Sequence, residues 1–239
     1  MISLEQALKV LSSHEHYLVA PSGLNLDAYQ AHFKKYGKRM RVAWFRPAFF
    51  TSVEAYSRML TSLFFYQRFR RYQYMLIYQL DCFVFRDELL DWCDRGFGYI
   101  GAPWFAGADN ARPDAKFDGV GNGGFSLRHI RAARKALWRY AAAKLWAQTL
   151  GRLKRPFDPA EWDQHIRKNE DRFWGAGLGP RVPGFRLPSV EEAIPFAFEV
   201  NPGRLFQMNG NRLPFGCHGC WRYDTEFWRE FIPMPRKEK

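Results

Sequence analysis

Cysteine is scarce in this chain, with 4 in 239 residues. Cys82, Cys93, Cys217 and Cys220 are too few and too scattered for the disulfide framework of a small secreted domain. Cys217 and Cys220 form a C-x-x-C, but Cys82 and Cys93 make no second short knuckle, so buried free thiols are expected in preference to a zinc site. No apolar stretch reaches the roughly 18 to 20 residues that a membrane-spanning helix needs; the strongest run, 72–85, is broken by Gln73, Gln79 and Asp81. The opening segment 1–10 is weakly amphipathic, with no small-residue cleavage site. It does not read as a signal peptide, and the expected compartment is the cytoplasm. There is no repeat period and no low-complexity linker, which leaves one α/β domain over 1–239.

Negative charge is absent from one long stretch. No acidic residue lies between Asp118 and Asp158, whereas Arg128, Arg131, Arg134, Lys135, Arg139, Lys144, Arg152, Lys154 and Arg155 all do. The formal net charge is +12. Before Val120 there are 15 basic and 12 acidic residues, and after it 21 and 12, so most of the excess lies in the second half. With 47% hydrophobic residues and 22 Phe the chain has ample core material, so this is a charged surface on a folded domain and not an expanded chain. Ile130, Ala133, Leu137, Ala141, Leu145 and Trp146 recur at helical spacing and predict a basic amphipathic helix over 130–150. Two readings stay open for it: a solvated surface helix packed on the core, or a patch that attracts an anionic acceptor, a nucleotide or the inner face of a membrane.

The remaining pattern alternates strands and helices. A helix is expected over 4–11 and a short strand over 16–20, ending in the turn Pro21-Ser22-Gly23. A helix is expected over 52–71. The continuous apolar run 74–80 reads as a strand covered on both faces in a parallel sheet. Further expectations are a helix over 87–94, a turn and strand over 96–104, a loop over 105–120 and a strand over 125–127. Asp158-Pro159-Ala160-Glu161 opens a helix running toward Asn169, and Ser189-Val190-Glu191-Glu192 is a capping box for a helix that Pro195 should shorten. The tail 201–228 reads as loops laid over the sheet.

Several residues stand out chemically. Asp81 follows the buried run 74–80 directly, at the edge where open α/β sheets gather ligands. Burial without a partner would be costly, so it calls for a cation, a metal or backbone donors. Gly121-Asn122-Gly123-Gly124 permits positive φ and close approach of backbone to a ligand, or simply a tight strand entry. Glu170 and Asp171, followed by Phe173 and Trp174, are paired carboxylates, one of which partial desolvation could tune as a general base. His218 is a loop imidazole among small and apolar neighbours, open to either a structural role or metal ligation.

The segments YMLIYQLDCFVF, WCDRGFGYIGAPW, GVGNGGFSLR, NEDRFW and LPFGCHGCWRYD, in this order, resemble a largely uncharacterised family, labelled a domain of unknown function, that is similar to GT-A-type glycosyltransferases. The likeness runs from about Pro21 to Trp228. It implies a GT-A-like, Rossmann-like fold with a mixed, mostly parallel sheet flanked by helices. The short stretch ahead of His16 leaves too little chain for the first strand of such folds. The implied activity is transfer of a sugar from a nucleotide-sugar donor to a glycan or lipid-linked glycan acceptor, in surface polysaccharide synthesis. By the same resemblance, Asp81 and His218 match ligands of a divalent metal, Mn²⁺ or Mg²⁺, although Gln79-Leu80-Asp81 has one carboxylate where such motifs usually have two. Glu170 or Asp171 matches the general base. Asn122, Gly123 and Gly124 would line the cleft, Trp104 and Trp174 would stack on a sugar ring, and Pro21 and Gly23 would lie near the nucleotide. The expected partners are a nucleotide-sugar donor, a glycan acceptor and anionic membrane at the inner face, with no nucleic acid. The competing readings are a basic nucleic-acid-binding protein and a catalytically inactive sugar-binding relative.

Overall fold

Parallel pairing is the minority among the described residues. The computed structural model describes residues 1–149 and 169–233. Among these, the strands form several small sheets in a mixed α/β arrangement, and most pairings are antiparallel. The mostly parallel sheet expected above is thereby corrected. The helix start at Asp158 lies outside the described residues.

The chain opens with helix α1 (Ile2–Val10), which buries Leu4, Ala7 and Leu8. Strand β1 (Tyr17–Pro21) and strand β2 (Arg41–Phe45) pair in parallel, joined through helix α2 (Asp27–Lys35) as the crossover such pairing requires. A single helix over 52–71 does not form. Ser52 caps helix α3 (Val53–Leu60) by accepting from the Ala55 N–H, and Ser62 caps helix α4 (Leu63–Arg68) by accepting from the Phe65 N–H. The break falls at Thr61-Ser62, whose hydroxyls donate to the carbonyls of Ser57 and Met59. These local bonds offer the backbone an alternative to continuing the helix.

Strand β3 (Tyr74–Tyr78) shows why the apolar run misled. Met75 and Ile77 pack on one core cluster, while Tyr74, Leu76 and Tyr78 pack on another. The run therefore reports burial on two faces, which says nothing about strand direction. β3 pairs antiparallel with strand β8 (Phe125–His129), whose other edge pairs antiparallel with strand β5 (Tyr99–Ile100). Strand β4 (Cys82–Val84) follows β3 after the turn at Gln79–Asp81, and helix α5 (Leu89–Asp94) buries Trp92. Strand β6 (Pro103–Phe105) pairs antiparallel with strand β7 (Phe117–Val120), so the expected loop over 105–120 contains a strand.

Helix α6 (Ile130–Thr149) buries Ile130, Ala133, Ala136, Leu137 and Tyr140, while Ala141, Leu145 and Trp146 are exposed. Among the described side chains the buried stripe therefore runs to Tyr140 and does not take in the expected Ala141, Leu145 and Trp146. Ser189 and Glu192 form the expected reciprocal capping box, and that helix ends at Ala193, two residues before Pro195. The tail is more ordered than loops alone. Strand β10 (Gly216–His218) sits between β4 and strand β9 (Ala197–Phe198), and the helices Pro202–Met208 and Thr225–Trp228 flank it. No helix among the described residues is long and apolar enough to cross a membrane.

Candidate functional site

The ends of β3, β8, β9 and β10 meet around Asp81. The turn bearing it is pinned by backbone: the Gln79 N–H donates to the Gly124 carbonyl at 2.9 Å, and the Gly219 N–H donates to the Asp81 carbonyl at 3.0 Å. Its half-exposed carboxylate is left to face His218, whose Nε2 lies 3.3 Å from Asp81 Oδ2. On the other side of the ring, Nδ1 is 2.7 Å from Glu199 Oε1. Burial alone would favour the neutral imidazole, but Asp81 and Glu199 outweigh it and push the His218 pKa up to about 10. Burial would likewise raise the Asp81 carboxyl, yet the ring beside it holds its pKa below the ordinary value. The Nε2–Asp81 contact lacks hydrogen-bond geometry, so this buried nitrogen has no hydrogen-bond partner among the described residues.

The glycines after β7 are explained by this packing. A methyl group at Gly124 would stand 2.2 Å from His218 Cδ2, one at Gly123 3.1 Å from Glu170 Oε1, and one at Gly121 2.1 Å from the Trp104 indole. None of the three has positive φ. Close approach of side chains, and not an unusual backbone, is what demands glycine there. Asn122 is 1% exposed and shapes the turn, its Oδ1 accepting from the N–H groups of Gly124 and Phe125 at 2.8 and 2.7 Å. Its Nδ2 is buried with no hydrogen-bond partner among the described residues.

The paired acids have separate environments. Glu170 is 4% exposed, and its Oε1 accepts from Arg128 Nη2 at 2.8 Å. Arg128 is itself 1% exposed; its Nη1 donates to the Tyr66 hydroxyl and its Nε to Ser126 Oγ. Counted above with a solvated basic stretch, Arg128 is in fact an interior residue of β8. Its neighbours Phe125 and Leu127 face one core cluster, and it lies on the opposite face with Ser126. Asp171 is partly buried and has no ion-pair partner among the described residues. Burial, then the negative charges of Glu170 and Glu199, push its carboxyl up to about 7, although the Arg172 charge beside it lowers its pKa somewhat. Its Oδ1 accepts only the local Arg172 N–H at 2.7 Å among the bonds described.

The remaining candidates fall elsewhere. Trp174 is 1% exposed, stacked on Phe185 at 5.8 Å and edge-on to Tyr66, so it belongs to the core and offers no face to a sugar. Trp104 is half-buried, with Gly121 and Gly175 abutting its indole and the Arg172 guanidinium 5.0 Å over its ring. Pro21 and Gly23 lie at the end of β1, where Pro21 pairs with Phe45 and Ser22 donates to the Phe45 carbonyl. A methyl group on Gly23 would meet nothing within 4 Å, and its φ of +91° is the reason for glycine. Sequence reasoning missed Glu199, Arg128 and Cys82. Glu199 had a readable signal, since it follows the apolar segment 196–198 just as Asp81 follows its strand. Cys82 had none beyond adjacency to Asp81.

Asp81, Cys82 and His218 each offer a donor atom within 4.8 Å of the others. Burial raises the Cys82 thiol well above its ordinary pKa, and it donates to the Gly124 carbonyl at 3.1 Å, so it stays a neutral thiol. A carboxylate and an imidazole nitrogen suit a hard or borderline cation such as Mn²⁺. Residues 39–218 match the profile of a family described as a protein of unknown function, DUF5672. Comparison with curated proteins found no match.

Proposed function

Because the chain belongs to the DUF5672 family, whose description names no reaction, its chemistry must be read from the site, and we propose that it is a GT-A-like glycosyltransferase. It moves a sugar from a nucleotide-sugar donor to a hydroxyl of a glycan or lipid-linked glycan, in surface polysaccharide synthesis at the cytoplasmic side. The observation that carries this reading is a set of donors that could take a cation, Asp81 and His218, which share one glycine turn with Glu170, whose neighbour Asp171 is a carboxyl of raised pKa.

Asp81 and His218 would hold a divalent cation, which would have to displace the proton of His218 Nε2, the nitrogen 3.3 Å from Asp81 Oδ2. Such a cation neutralises charge developing on the departing nucleotide diphosphate. Glu199, bound to Nδ1, fixes the ring orientation and tautomer, as carboxylates behind ligating histidines do. Asp171 is the general base, because a carboxyl with pKa near working pH both exists as carboxylate and accepts a proton effectively. It takes the proton of the acceptor hydroxyl as that oxygen attacks the sugar. Glu170 acts at one remove: its charge is held by Arg128 and helps keep the Asp171 proton affinity high. Gly123 and Gly124 let Glu170 and His218 both approach the same turn.

Thermal unfolding with Mn²⁺ and a UDP or GDP nucleotide tests the reading. The midpoint is expected to rise, and Asp81→Ala to abolish the rise. No shift across a nucleotide panel, together with salt-sensitive binding of single-stranded DNA, would overturn the reading in favour of a nucleic-acid-binding protein. Donor binding without turnover of any donor assigns an inactive sugar-binding relative.

A further inference from the structure

The outward face of α6 is both basic and aromatic. Arg131, Lys135 and Arg139 are exposed, and Trp138 is 63% exposed. At 3.6 residues per turn these four positions fall within an arc of about 100°. Helix α4 packs against α6, and both send their buried residues into the same core cluster: Phe65, Tyr66 and Phe69 from and beside α4, and Ile130, Ala133, Ala136 and Leu137 from α6. On its exposed side α4 carries Phe64, 62% exposed, and Arg68. Neither helix contains an acidic residue that could neutralise these cations.

We infer that α4 and α6 form a platform that seats the protein on an anionic lipid bilayer. Trp138 and Phe64 enter the headgroup region, and Arg68, Arg131, Lys135 and Arg139 lie over anionic headgroups. A large aromatic set among cations on a helix face is the composition that lies in a membrane interface, where apolar burial and electrostatic attraction add. A second copy of this chain does not fit, because a self-complementary contact would press four or more cations against their equals. Single-stranded nucleic acid fits less well, since base stacking calls for successive aromatics along a basic groove, and here two aromatics project from separate helices. This inference stands apart from the proposed sugar transfer, because it depends on none of the residues around Asp81.

Co-sedimentation of the full chain with vesicles tests it. Binding to phosphatidylcholine vesicles containing about one-third phosphatidylglycerol is expected, with little binding to phosphatidylcholine alone and weakening at high salt. The double reversal Arg131→Glu/Lys135→Glu should lower partition by about tenfold or more. Brominated lipid should quench tryptophan emission, and Trp138→Phe should lose most of that quenching. All three positions are exposed, so unchanged far-UV circular dichroism and melting will show that the variants fold. The inference is overturned by absent or charge-independent vesicle binding, by partition unchanged in the double reversal, or by dimerisation or DNA binding that requires the same residues. Retained nucleotide-dependent stabilisation in a variant that has lost vesicle binding separates this surface from the transfer site.

Discussion

Glu170 and Asp171 are consecutive carboxylates with opposite electrostatic surroundings. One is buried beside a guanidinium, and the other is partly buried beside two further acids. Asp171→Asn should therefore cut turnover by about 10²–10⁴-fold while leaving donor binding intact. In the unsubstituted protein, kcat/KM should rise with pH through about 7, following loss of the Asp171 proton. The stability consequence has the reverse sense. The folded-state pKa is raised from 3.8, so the folded protein holds this proton more tightly than the unfolded chain does. Stability is then lost as pH rises from about 4 through 7, and thermal melts of Asp171→Asn should lack that component. Glu170→Gln, by contrast, strands the buried Arg128 charge, and urea unfolding should show a loss of about 3–5 kcal/mol. Equal stability in that variant would remove the structural role given to Glu170. Two adjacent acids in sequence are indistinguishable until Arg128 arrives from a distant strand, which is why the sequence named the pair but could not divide its labour.

At the scale of elements, local chemistry was legible at one helix and misread at another. The Ser189–Glu192 capping box and the stop before Pro195 formed as the residues require. The 52–71 segment shows the opposite case, in which apolar spacing continued but Thr61 and Ser62 diverted the backbone. Ser62→Ala should cost about 1 kcal/mol of stability by removing the α4 cap, read from the shift of a denaturant midpoint. β3 was expected from its apolar run and a strand over 125–127 from the glycine turn before it, but their antiparallel pairing was not. An apolar run encodes how many faces are covered and is silent about which partner supplies the edge hydrogen bonds. The tail was underread because its strand β10 is three residues long and owes its pairing to β9 and to β4, the latter some 130 residues earlier in the chain.

Across the whole molecule, the core clusters interleave distant segments. One joins Ala43 and Phe45 to Tyr99, Leu137 and Trp174, and another joins Phe83 and Phe105 to Leu205 and Trp228. β4 contributes to two of them, with Phe83 on one side and Cys82 and Val84 on the other. Such sharing predicts one cooperative transition, so denaturation followed by tryptophan emission and by far-UV circular dichroism should coincide. Separate midpoints would divide the chain into more than one folding unit. By itself the sequence determined the α/β class, the Ser189–Glu192 capping box, the basic character of α6 and the identity of Asp81 and His218 as chemically notable, because these follow from periodicity, side-chain chemistry and charge counts within short windows. Only the tertiary structure decided that Glu199 backs His218, that Arg128 is interior, that Trp174 is core and that α4 packs beside α6. Each of those depends on contacts between segments far apart in the chain, and no local pattern specifies which segments meet.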